Sequence, residues 1–491
     1  MKNILKYAFL LLATVLMASC EEFLDVNDDP NNPVTVSPDL VLPTAQVYTA
    51  NVLHQNRYFN NLGNMMMYNW SQSDGFAWYP DEFKYNVTSS FYQQLFNYSY
   101  SNTLKMYQIL DQLESPYDNY KAIAKVMKAY HFQLLVDCYG DIPYSEALLR
   151  SQEATPKYDD AKGIYENLIL QLDTAILLIK NAQNAVVPGL DDAIFKGNMN
   201  NWVKFANTVK LRILVRQSSM AGRDAYLKAE FAKIASEGSG YITADVGVNP
   251  GYVQQENKQS PLWNTFGKDV GGTNTMNNNA TCATDYILTF LQEMSDPRID
   301  RLYEKPSTGH LGVPQGLLDY DTPVVDAYMP EKVSNIGPGI LKGPNMPAIV
   351  YTLAESFLNQ AEARQRGLIT TGDDAKTLYQ KGIQASFTTL GAGDATAYYS
   401  QVKNLAGWDA SSNKIQAIIT QKWIAVNGMS AEQSWFDYSR TGYPAGLPIS
   451  LQATTSNRPV RLFYPAGEYS SNGANVPAQP NAFTEKIFWG K

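Results

Sequence analysis

Long stretches of the chain repeat apolar residues with the period of an α-helix. Over residues 348–366 an apolar side chain recurs at every third or fourth position, and Gly367 follows as a helix C-cap. Other stretches show comparable spacing. The pattern predicts helices over residues 44–67, 89–113, 117–138, 159–181, 198–216 and 348–366, from about 373 to 389, and over 415–427.

Several of these helices follow one another as pairs, 117–137 with 159–181 and 348–366 with 373–389. Helix pairs of this length are typical of tetratricopeptide stacking. The strict repeat spacing is not met, and long insertions separate the pairs. We therefore predict a mainly α fold with a scaffold of degenerate, tetratricopeptide-like helix pairs and at most small β-hairpins. A generic helical bundle is the alternative.

Two stretches interrupt the helical pattern, residues 238–280 and 307–347. Both are rich in residues that favour loops, and the first contains a run of three asparagines. Tyr241-Ile242 and Tyr252-Val253 predict a small hairpin within the first stretch. Long loops on a rigid helical scaffold often carry binding residues. These two stretches are therefore among the places where binding residues are expected.

The first twenty residues resemble the export signal of a bacterial lipoprotein. Lys2 and Lys6 precede an apolar run that is too short to span a bilayer. The run ends Met17-Ala18-Ser19-Cys20, which is similar to a lipobox whose cysteine is acylated. An ordinary secretory signal with an incidental Cys20 is the alternative. The predicted organisation is a signal peptide over 1–19, a lipidated tether over 20–43 and one domain over 44–491.

The amino-acid composition and net charge limit the kinds of ligand that the protein is expected to bind. Hydrophobic residues make up 45% of the chain, which describes a globular protein with a sizeable core. The net charge of -8 argues against nucleic acid as a partner, because phosphate binding needs a basic surface. The chain has 32 tyrosines and 8 tryptophans. Their flat amphipathic rings suit the faces of sugars as well as peptides.

The sequence contains no recognisable catalytic or metal-binding motif. We find neither a G-x-S-x-G elbow nor an H-E-x-x-H motif, and no pair of carboxylates is singled out. His54 and His131 lie in predicted helices, and we expect them to form hydrogen bonds rather than to bind metal. We expect Cys138 and Cys282 to be buried thiols, with a disulfide as the alternative. No cofactor is predicted.

Aromatic and amide residues in polar, loop-like context are the candidate ligand-binding residues. Rings that stack on a sugar, with amides at the rim, suit an oligosaccharide, whereas amides with backbone pairing suit a peptide. Packing in the core is the alternative for each tryptophan. The candidates form three patches: Tyr68, Trp70, Trp78 and Tyr79; Trp263 with Asn274, Asn277 and Asn278; and Trp408.

Five segments carry motifs that are weak singly but occur together in one order. They are Cys20-Glu21-Glu22-Phe23-Leu24-Asp25-Val26-Asn27; Tyr139-Gly140-Asp141-Ile142-Pro143-Tyr144; residues 348–367; Trp435-Phe436-Asp437-Tyr438 with Arg440-Thr441-Gly442-Tyr443-Pro444; and Arg461-Leu462-Phe463-Tyr464-Pro465. Together they resemble the SusD/RagB family of nutrient-binding lipoproteins of Bacteroidetes, in its SusD-like branch. The resemblance extends over nearly the whole chain.

The resemblance implies a scaffold of about four tetratricopeptide-like helix pairs and an irregular lobe that carries the ligand site. It also implies an outer-membrane lipoprotein that faces the cell exterior. Such a protein acts as a lid over a TonB-dependent, SusC-like β-barrel transporter and performs no chemistry. Arg440, Tyr443 and Pro444 are expected to stabilise the fold.

We therefore predict capture of an oligosaccharide, with an oligopeptide as the alternative ligand. A surface glycoside hydrolase and a helical scaffold that binds only protein are less favoured.

Overall fold

The structure, a computed structural model, describes residues 37–149, 152–318 and 323–490. The predicted signal peptide 1–19, Cys20 and most of the predicted tether 20–43 lie outside these residues. Helix α1 begins at Pro38, whose fixed φ suits the first helical position. Val41 and Leu42 are buried in α1, so the end of the predicted tether packs with the folded chain.

The architecture is mainly helical. The N-terminal half contains α1 Pro38–His54, α2 Phe59–Met66, α3 Pro80–Lys84, α4 Gln93–Tyr98, α5 Lys105–Asp111, α6 Asp118–Tyr139, α7 Ala161–Asn181, α8 Met199–Arg216 and α9 Asp224–Glu237. A π-helical turn, Ser99–Leu104, joins α4 to α5. The C-terminal half contains α10 Pro261–Phe266, α11 Met276–Ala280, α12 Asp285–Glu293, α13 Ile299–Leu302, α14 Leu353–Gln365, α15 Ala375–Leu390, α16 Thr396–Tyr399, α17 Lys414–Val426, α18 Glu432–Thr441 and α19 Ala466–Ser471.

The predicted helix pairs are present. Helix α6 packs along α7, and α14 packs along α15 and α17. The apolar residues whose helical spacing led to the prediction face the interior. In α7, for example, Ile164, Leu168 and Leu172 are all buried. The N-terminus of α15 is capped by Asp374, whose carboxylate accepts a hydrogen bond from the backbone N–H of Thr377. The structure confirms the mainly α, helix-pair fold.

The strands of the described residues form three small antiparallel ladders. They pair β1 Trp70–Gln72 with β5 Thr281–Ala283, β2 Ile142–Pro143 with β3 Tyr158–Asp159, and β4 Val246–Val248 with β6 Ala348–Tyr351. The predicted hairpin between residues 241 and 253 is therefore wrong, because the strand in that region pairs with a partner about 100 residues later.

Two helix boundaries also differ from the prediction. The predicted helix over 44–67 is interrupted after His54, because Arg57 adopts a left-handed φ of 60° and the chain changes direction. The predicted helix over 348–366 starts as strand β6, and α14 begins only at Leu353. The β-branched pair Ile349 and Val350 suits both assignments, and the ladder with β4 decides between them.

A buried ionic cluster joins the scaffold helices α8, α14, α17 and α18. The carboxylate of Asp437 lies 2.8 Å from Nη1 of Arg216, 2.8 Å from Nζ of Lys422 and 3.0 Å from Nη2 of Arg440. Burial alone would raise the pKa of Asp437, but these three cations outweigh it and hold the pKa well below its usual value. Arg440 thus lies in the interior and links α18 to α14 through its ion pair with Glu362.

The predicted environments of the cysteines and two histidines are confirmed. Cys138 and Cys282 are buried free thiols. Nε2 of His131 forms a hydrogen bond of 2.9 Å with the hydroxyl group of Thr49, and Nε2 of His54 lies 2.6 Å from the carbonyl oxygen of Ile349. Over the residues that the structure describes, no helix combines the length and apolar character needed to cross a membrane.

Candidate functional site

The ladder between β1 and β5 brings two of the predicted patches together. Trp70 lies opposite Ala283, and Gln72 lies opposite Thr281. Helix α11, which carries Asn277 and Asn278, directly precedes β5. The aromatic stretch 68–79 and the asparagine run are thus neighbours in space, although about 200 residues separate them in the chain.

The second loop-rich insertion is attached at the same place. The backbone N–H of Asp74 donates to the carbonyl oxygen of Tyr328 at 2.8 Å, and the carboxylate of Asp74 accepts from the backbone N–H of Val325 at 2.5 Å. The hydroxyl of Ser73 donates to the carbonyl oxygen of Asn279 at 2.6 Å. These contacts hold three distant segments around one concave surface.

We call this concave surface the loop cleft, a cavity of about 400 Å³. It is lined by one aromatic ring, three amides, three charged side chains and four apolar residues: Phe76; Asn274, Asn279 and Asn335; Glu304, Lys305 and Glu331; and Pro306, Met329, Pro330 and Val333. Small-ligand sites are usually lined mainly by apolar residues, and this cleft is more polar, since six of its eleven lining residues are amides or charged.

Phe76 supplies the aromatic face of the loop cleft. Its ring is half-buried and lies 6.2 Å from the ring of Trp78, itself half-buried. Trp78 is held by its backbone, because its N–H donates to Oε1 of Gln72 and its carbonyl oxygen accepts from Arg57. A ring fixed beside amides can stack on one face of a sugar while the amides bond its hydroxyls.

The remaining aromatic candidates of the first patch are buried. Trp70 is fully buried and packs at 5.1 Å against the ring of Phe266. The hydroxyl of Tyr79 lies 2.7 Å from that of Thr281, and burial raises the pKa of Tyr79. Burial likewise raises the pKa of Tyr68 to about 12. These three side chains pack in the interior and present no face to a ligand, so they are not among the residues of the loop cleft.

The residues of the second patch do not all lie in the loop cleft. Asn274 is exposed and lines the loop cleft. Asn277 accepts a hydrogen bond from the side chain of Asn56 at 3.1 Å, and buried Asn278 donates to the carbonyl oxygen of Phe266 at 2.6 Å. Trp263 is half-buried and packs against the main core. Only Asn274 of these four lines the loop cleft.

Trp408 belongs to a different part of the molecule. It is 9% exposed and lies in a separate core cluster around α14, α15 and α17. Its ring is 5.2 Å from that of Tyr379, and Nζ of Lys414 lies 5.3 Å from its centroid. The third patch is therefore not joined to the other two.

Sequence reasoning did not single out the charged residues of the loop cleft. Glu304, Lys305, Glu331 and Asn335 carry no motif, and the only available signal was their position in or beside the loop-rich insertion 307–347. Partial burial raises the pKa of Glu304, and the charge of Lys268 opposes this rise. Glu304 is nevertheless an exposed residue of the cleft.

An arrangement of Asp300, His310 and Ser334 also has the residue types of a catalytic triad. Nε2 of His310 lies 2.7 Å from the Asp300 carboxylate, and Nδ1 lies 2.9 Å from Oγ of Ser334. Ser334 is fully buried, however, and its Oγ already accepts a hydrogen bond from the backbone N–H of Leu311. A buried serine cannot reach a substrate, so the hydrogen bonds among these three residues are assigned a structural role in the loop that precedes the cleft.

A larger cavity of about 860 Å³ lies at the helical scaffold, beside the π-helical turn. Phe96, Tyr100 and Lys105 line it together with the segment after β2. None of the candidate residues predicted from the sequence lines this cavity. We take the loop cleft as the candidate site, because Asn274 of the second patch lines it and Trp78 of the first patch packs beside its aromatic residue Phe76.

Comparison with known proteins places the chain in a family. A family sequence profile described as "Starch-binding associating with outer membrane" matches residues 30–465. Members of this SusD-like family are binding proteins, and membership supports a nutrient-binding role and association with the outer membrane. No match is found among curated proteins.

Solved structures show the same fold. A chitin-binding protein superposes with a TM-score of 0.75 at 25% identity, over 93% of this chain and 100% of its own. A SusD homologue from Bacteroides vulgatus gives 0.75 at 21% identity, over 92% and 97% of the two chains. A chitin-binding SusD homologue from Flavobacterium johnsoniae gives 0.75 at 21% identity, over 91% and 98%. With its helix-pair scaffold and a family match over most of its length, the chain belongs to the SusD-like family.

Proposed function

We propose that the protein captures an oligosaccharide at the cell surface and binds it in the loop cleft. The observation that carries this proposal is the convergence of Phe76 with Asn274, Asn279 and Asn335 around one cavity. A ring for stacking and amides for hydroxyl groups are the groups that a neutral sugar requires.

The choice of an oligosaccharide draws further support from the chitin-binding relative that shares 25% of its residues with this chain. An oligopeptide is the alternative ligand class, because amide side chains also pair with a peptide backbone. Titration calorimetry with neutral oligosaccharides and with peptides of comparable size separates the two classes. Binding of peptides alone would overturn the oligosaccharide proposal.

The remaining parts of the proposal concern partner and location. The protein is anchored through lipid on Cys20 to the outer membrane and faces the cell exterior. It acts as a lid on a SusC-like, TonB-dependent β-barrel transporter, which imports the captured ligand. The family description, which includes association with the outer membrane, supports this location.

Purification of the tagged protein from native outer membranes in mild detergent, followed by mass spectrometry, tests the partner. We expect a stoichiometric β-barrel transporter and a trapped ligand. Recovery of the protein alone, under conditions in which other β-barrel complexes stay intact, would overturn the proposed role as a lid. It would favour a protein-binding scaffold or a glycoside hydrolase instead.

Glycoside hydrolysis is a second candidate because two carboxylates, Glu304 and Glu331, line the same cleft. The raised pKa of Glu304 is a property of a general acid. Incubation of the protein with each oligosaccharide that it binds, followed by an assay for new reducing ends, tests this candidate. We expect no new reducing ends, because members of the family are binding proteins.

A further inference from the structure

Four aliphatic side chains are exposed at the end of the scaffold where the described chain begins. Leu190 is 85% exposed, Leu40 64%, Val187 56% and Val186 40%. Leu40 lies in the first turn of α1, and the other three lie in the segment between α7 and α8. Single exposed apolar residues are ordinary on a protein surface, whereas a contiguous group of them marks a contact surface. We call these four residues the aliphatic patch.

Tyr120 of α6 connects the two sides of the aliphatic patch. Its hydroxyl donates a hydrogen bond to the carboxylate of Asp191, the neighbour of Leu190, at 2.8 Å. Burial raises the pKa of Tyr120, and the carboxylates of Asp191 and Asp39 raise it further. Asp39 precedes Leu40 in α1, so both leucines follow or precede carboxylates that lie near one hydroxyl group.

Hydrogen bonds hold the segment between α7 and α8 in place. The N–H of Val186 donates to the carbonyl oxygen of Pro116 at 2.7 Å, and its carbonyl oxygen accepts from Nδ2 of Asn119 at 3.0 Å. From the other side, Nε2 of Gln46 in α1 donates to the carboxylate of Asp192 at 2.8 Å. The four aliphatic side chains are therefore presented by a well-fixed part of the fold.

The proposed lipid anchor brings this end of the molecule close to a bilayer. Cys20 precedes Ser37, the first described residue, by 17 positions. A chain of this length spans at most about 60 Å when fully extended. The folded chain begins beside the aliphatic patch, because Leu40 follows Ser37 by three positions. A lipid on Cys20 therefore raises the effective concentration of membrane surface at the patch.

The composition of the aliphatic patch favours lipid over protein as its occupant. The residues that dominate binding energy at protein interfaces are mainly Trp, Tyr and Arg, and Leu and Val are under-represented among them. Aliphatic side chains gain free energy in any apolar surroundings, and the acyl region of a bilayer supplies these. Residues 182–190 contain no charged side chain. Asp39 and Asp191 beside the patch would repel anionic headgroups, so the lipid should be neutral.

We infer that the aliphatic patch inserts into a surface of neutral lipid and forms a second membrane contact beside the lipid on Cys20. The inference rests on the proposed function, in which Cys20 carries the anchor. A lipid at the end of a tether leaves the folded domain free to rotate, whereas two points of attachment fix one side of it towards the bilayer. The patch thus orients the scaffold on the membrane.

Fluorescence of the full, acylated chain in phosphatidylcholine vesicles tests the inference. An environment-sensitive dye is attached to Leu190→Cys and, in a matched variant, to Val402→Cys, which replaces a 95% exposed residue outside the patch. Cys138 and Cys282 are buried and should not react with the dye. A quencher carried on the lipid chains should reduce emission from position 190 about threefold more than emission from position 402.

A further substitution separates the patch from the dye. Added to the chain labelled at position 190, Leu40→Asn should weaken insertion about threefold to tenfold, measured as recovery of emission, because it removes apolar area from the contact. Val402→Asn is the matched control and should leave the quenching unchanged. Both side chains are exposed, so neither substitution disturbs the core. Anionic lipid should not strengthen the quenching, and added salt should not weaken it.

The outcomes separate the inference from the proposed function. Equal quenching at positions 190 and 402 would overturn the membrane contact, and shielding of position 190 only by a bound β-barrel transporter would assign the patch to a protein interface instead. Mass spectrometry of the mature chain tests the anchor by itself. An unacylated Cys20 would overturn the proposed anchor. Quenching specific to position 190 would then support the patch alone, and its absence would overturn both.

Discussion

Arg440 holds Glu362 in a bidentate ion pair in the interior of the scaffold. Nη1 and Nη2 of the guanidinium lie 2.6 Å and 2.8 Å from the two carboxylate oxygens, and both side chains are fully buried. The pair joins α18 to α14. Removal of the Glu362 charge leaves buried Arg440 with Asp437 as its remaining carboxylate partner, and loss of one partner of a buried ion pair is strongly destabilising.

Glu362→Gln should therefore lower the free energy of unfolding by about 3–5 kcal/mol. Chemical denaturation at neutral pH measures the change. The control is Asp373→Asn, which removes the exposed pair with Lys381 and should cost less than about 1 kcal/mol. Equal effects of the two substitutions would show that the buried cluster does not determine stability.

Glu432 should make the protein less stable as the pH rises. Burial raises the pKa of Glu432 from 4.5 to about 7, although nearby donors and Arg212 oppose it. A raised pKa in the folded state favours folding below pH 4.5, and this contribution disappears as the pH rises through 7. Glu432→Gln should remove this pH dependence and stabilise the protein by about 3 kcal/mol at pH 8 relative to the native chain.

Denaturation of both proteins at pH 5 and at pH 8 measures this effect. Glu114→Gln serves as the control, because the side chain is exposed. A gain in stability that is the same at both pH values would contradict the assigned pKa.

His54 should destabilise the protein in acid. Burial lowers the pKa of His54 from 6.5 to about 4, against a smaller opposing effect of its bond to the Ile349 carbonyl. Because the unfolded chain takes up the proton first, stability that is fully present above pH 6.5 is lost as the pH falls to 4, by about 3 kcal/mol. His54→Gln should flatten the stability profile over this range, as measured by denaturation at a series of pH values. An unchanged slope would contradict the prediction.

Phe76→Ala should weaken oligosaccharide binding about tenfold, because it removes the aromatic face of the loop cleft. Titration calorimetry measures the dissociation constant. Trp408→Phe is the matched control for a predicted aromatic outside the cleft, and we expect it to leave the affinity unchanged. The opposite result, a loss only with Trp408→Phe, would move the site to the separate core cluster.

Cys20→Ala should release the protein from the membrane fraction if Cys20 carries the lipid anchor. Fractionation of cells with immunoblotting measures the distribution. Protein that remains membrane-bound and equally abundant after the substitution would contradict lipid anchoring at this residue.

Local patterns predicted those parts of the fold that local forces determine. Helices α6, α7 and α8 were predicted within two residues of their observed ends, because an amphipathic stripe and its caps depend only on nearby residues. The residues of strand β6 were predicted as helix, because a segment of four residues fits the periodicity of a helix as well as that of a strand. Its true partner, β4, lies about 100 residues earlier, and no local signal encodes that pairing.

The candidate site shows the same division. The sequence predicted aromatic and amide residues in loops as the site, and of these Asn274 lines the cleft and Trp78 packs beside its aromatic residue Phe76, which was not predicted. Trp70, Trp263, Asn277 and Asn278 lie in strands or helices instead.

The tertiary structure alone decided which of them are accessible. Trp70 and Trp78 belong to one short segment, yet the first is buried by the ladder with β5 and by Phe266. Likewise, the bonds of Asn335 to the backbone of Glu304 and of Pro330 connect segments of the cleft wall that are separate in the chain. Burial and juxtaposition depend on contacts between residues far apart in the chain, and such contacts exist only once the whole chain has folded.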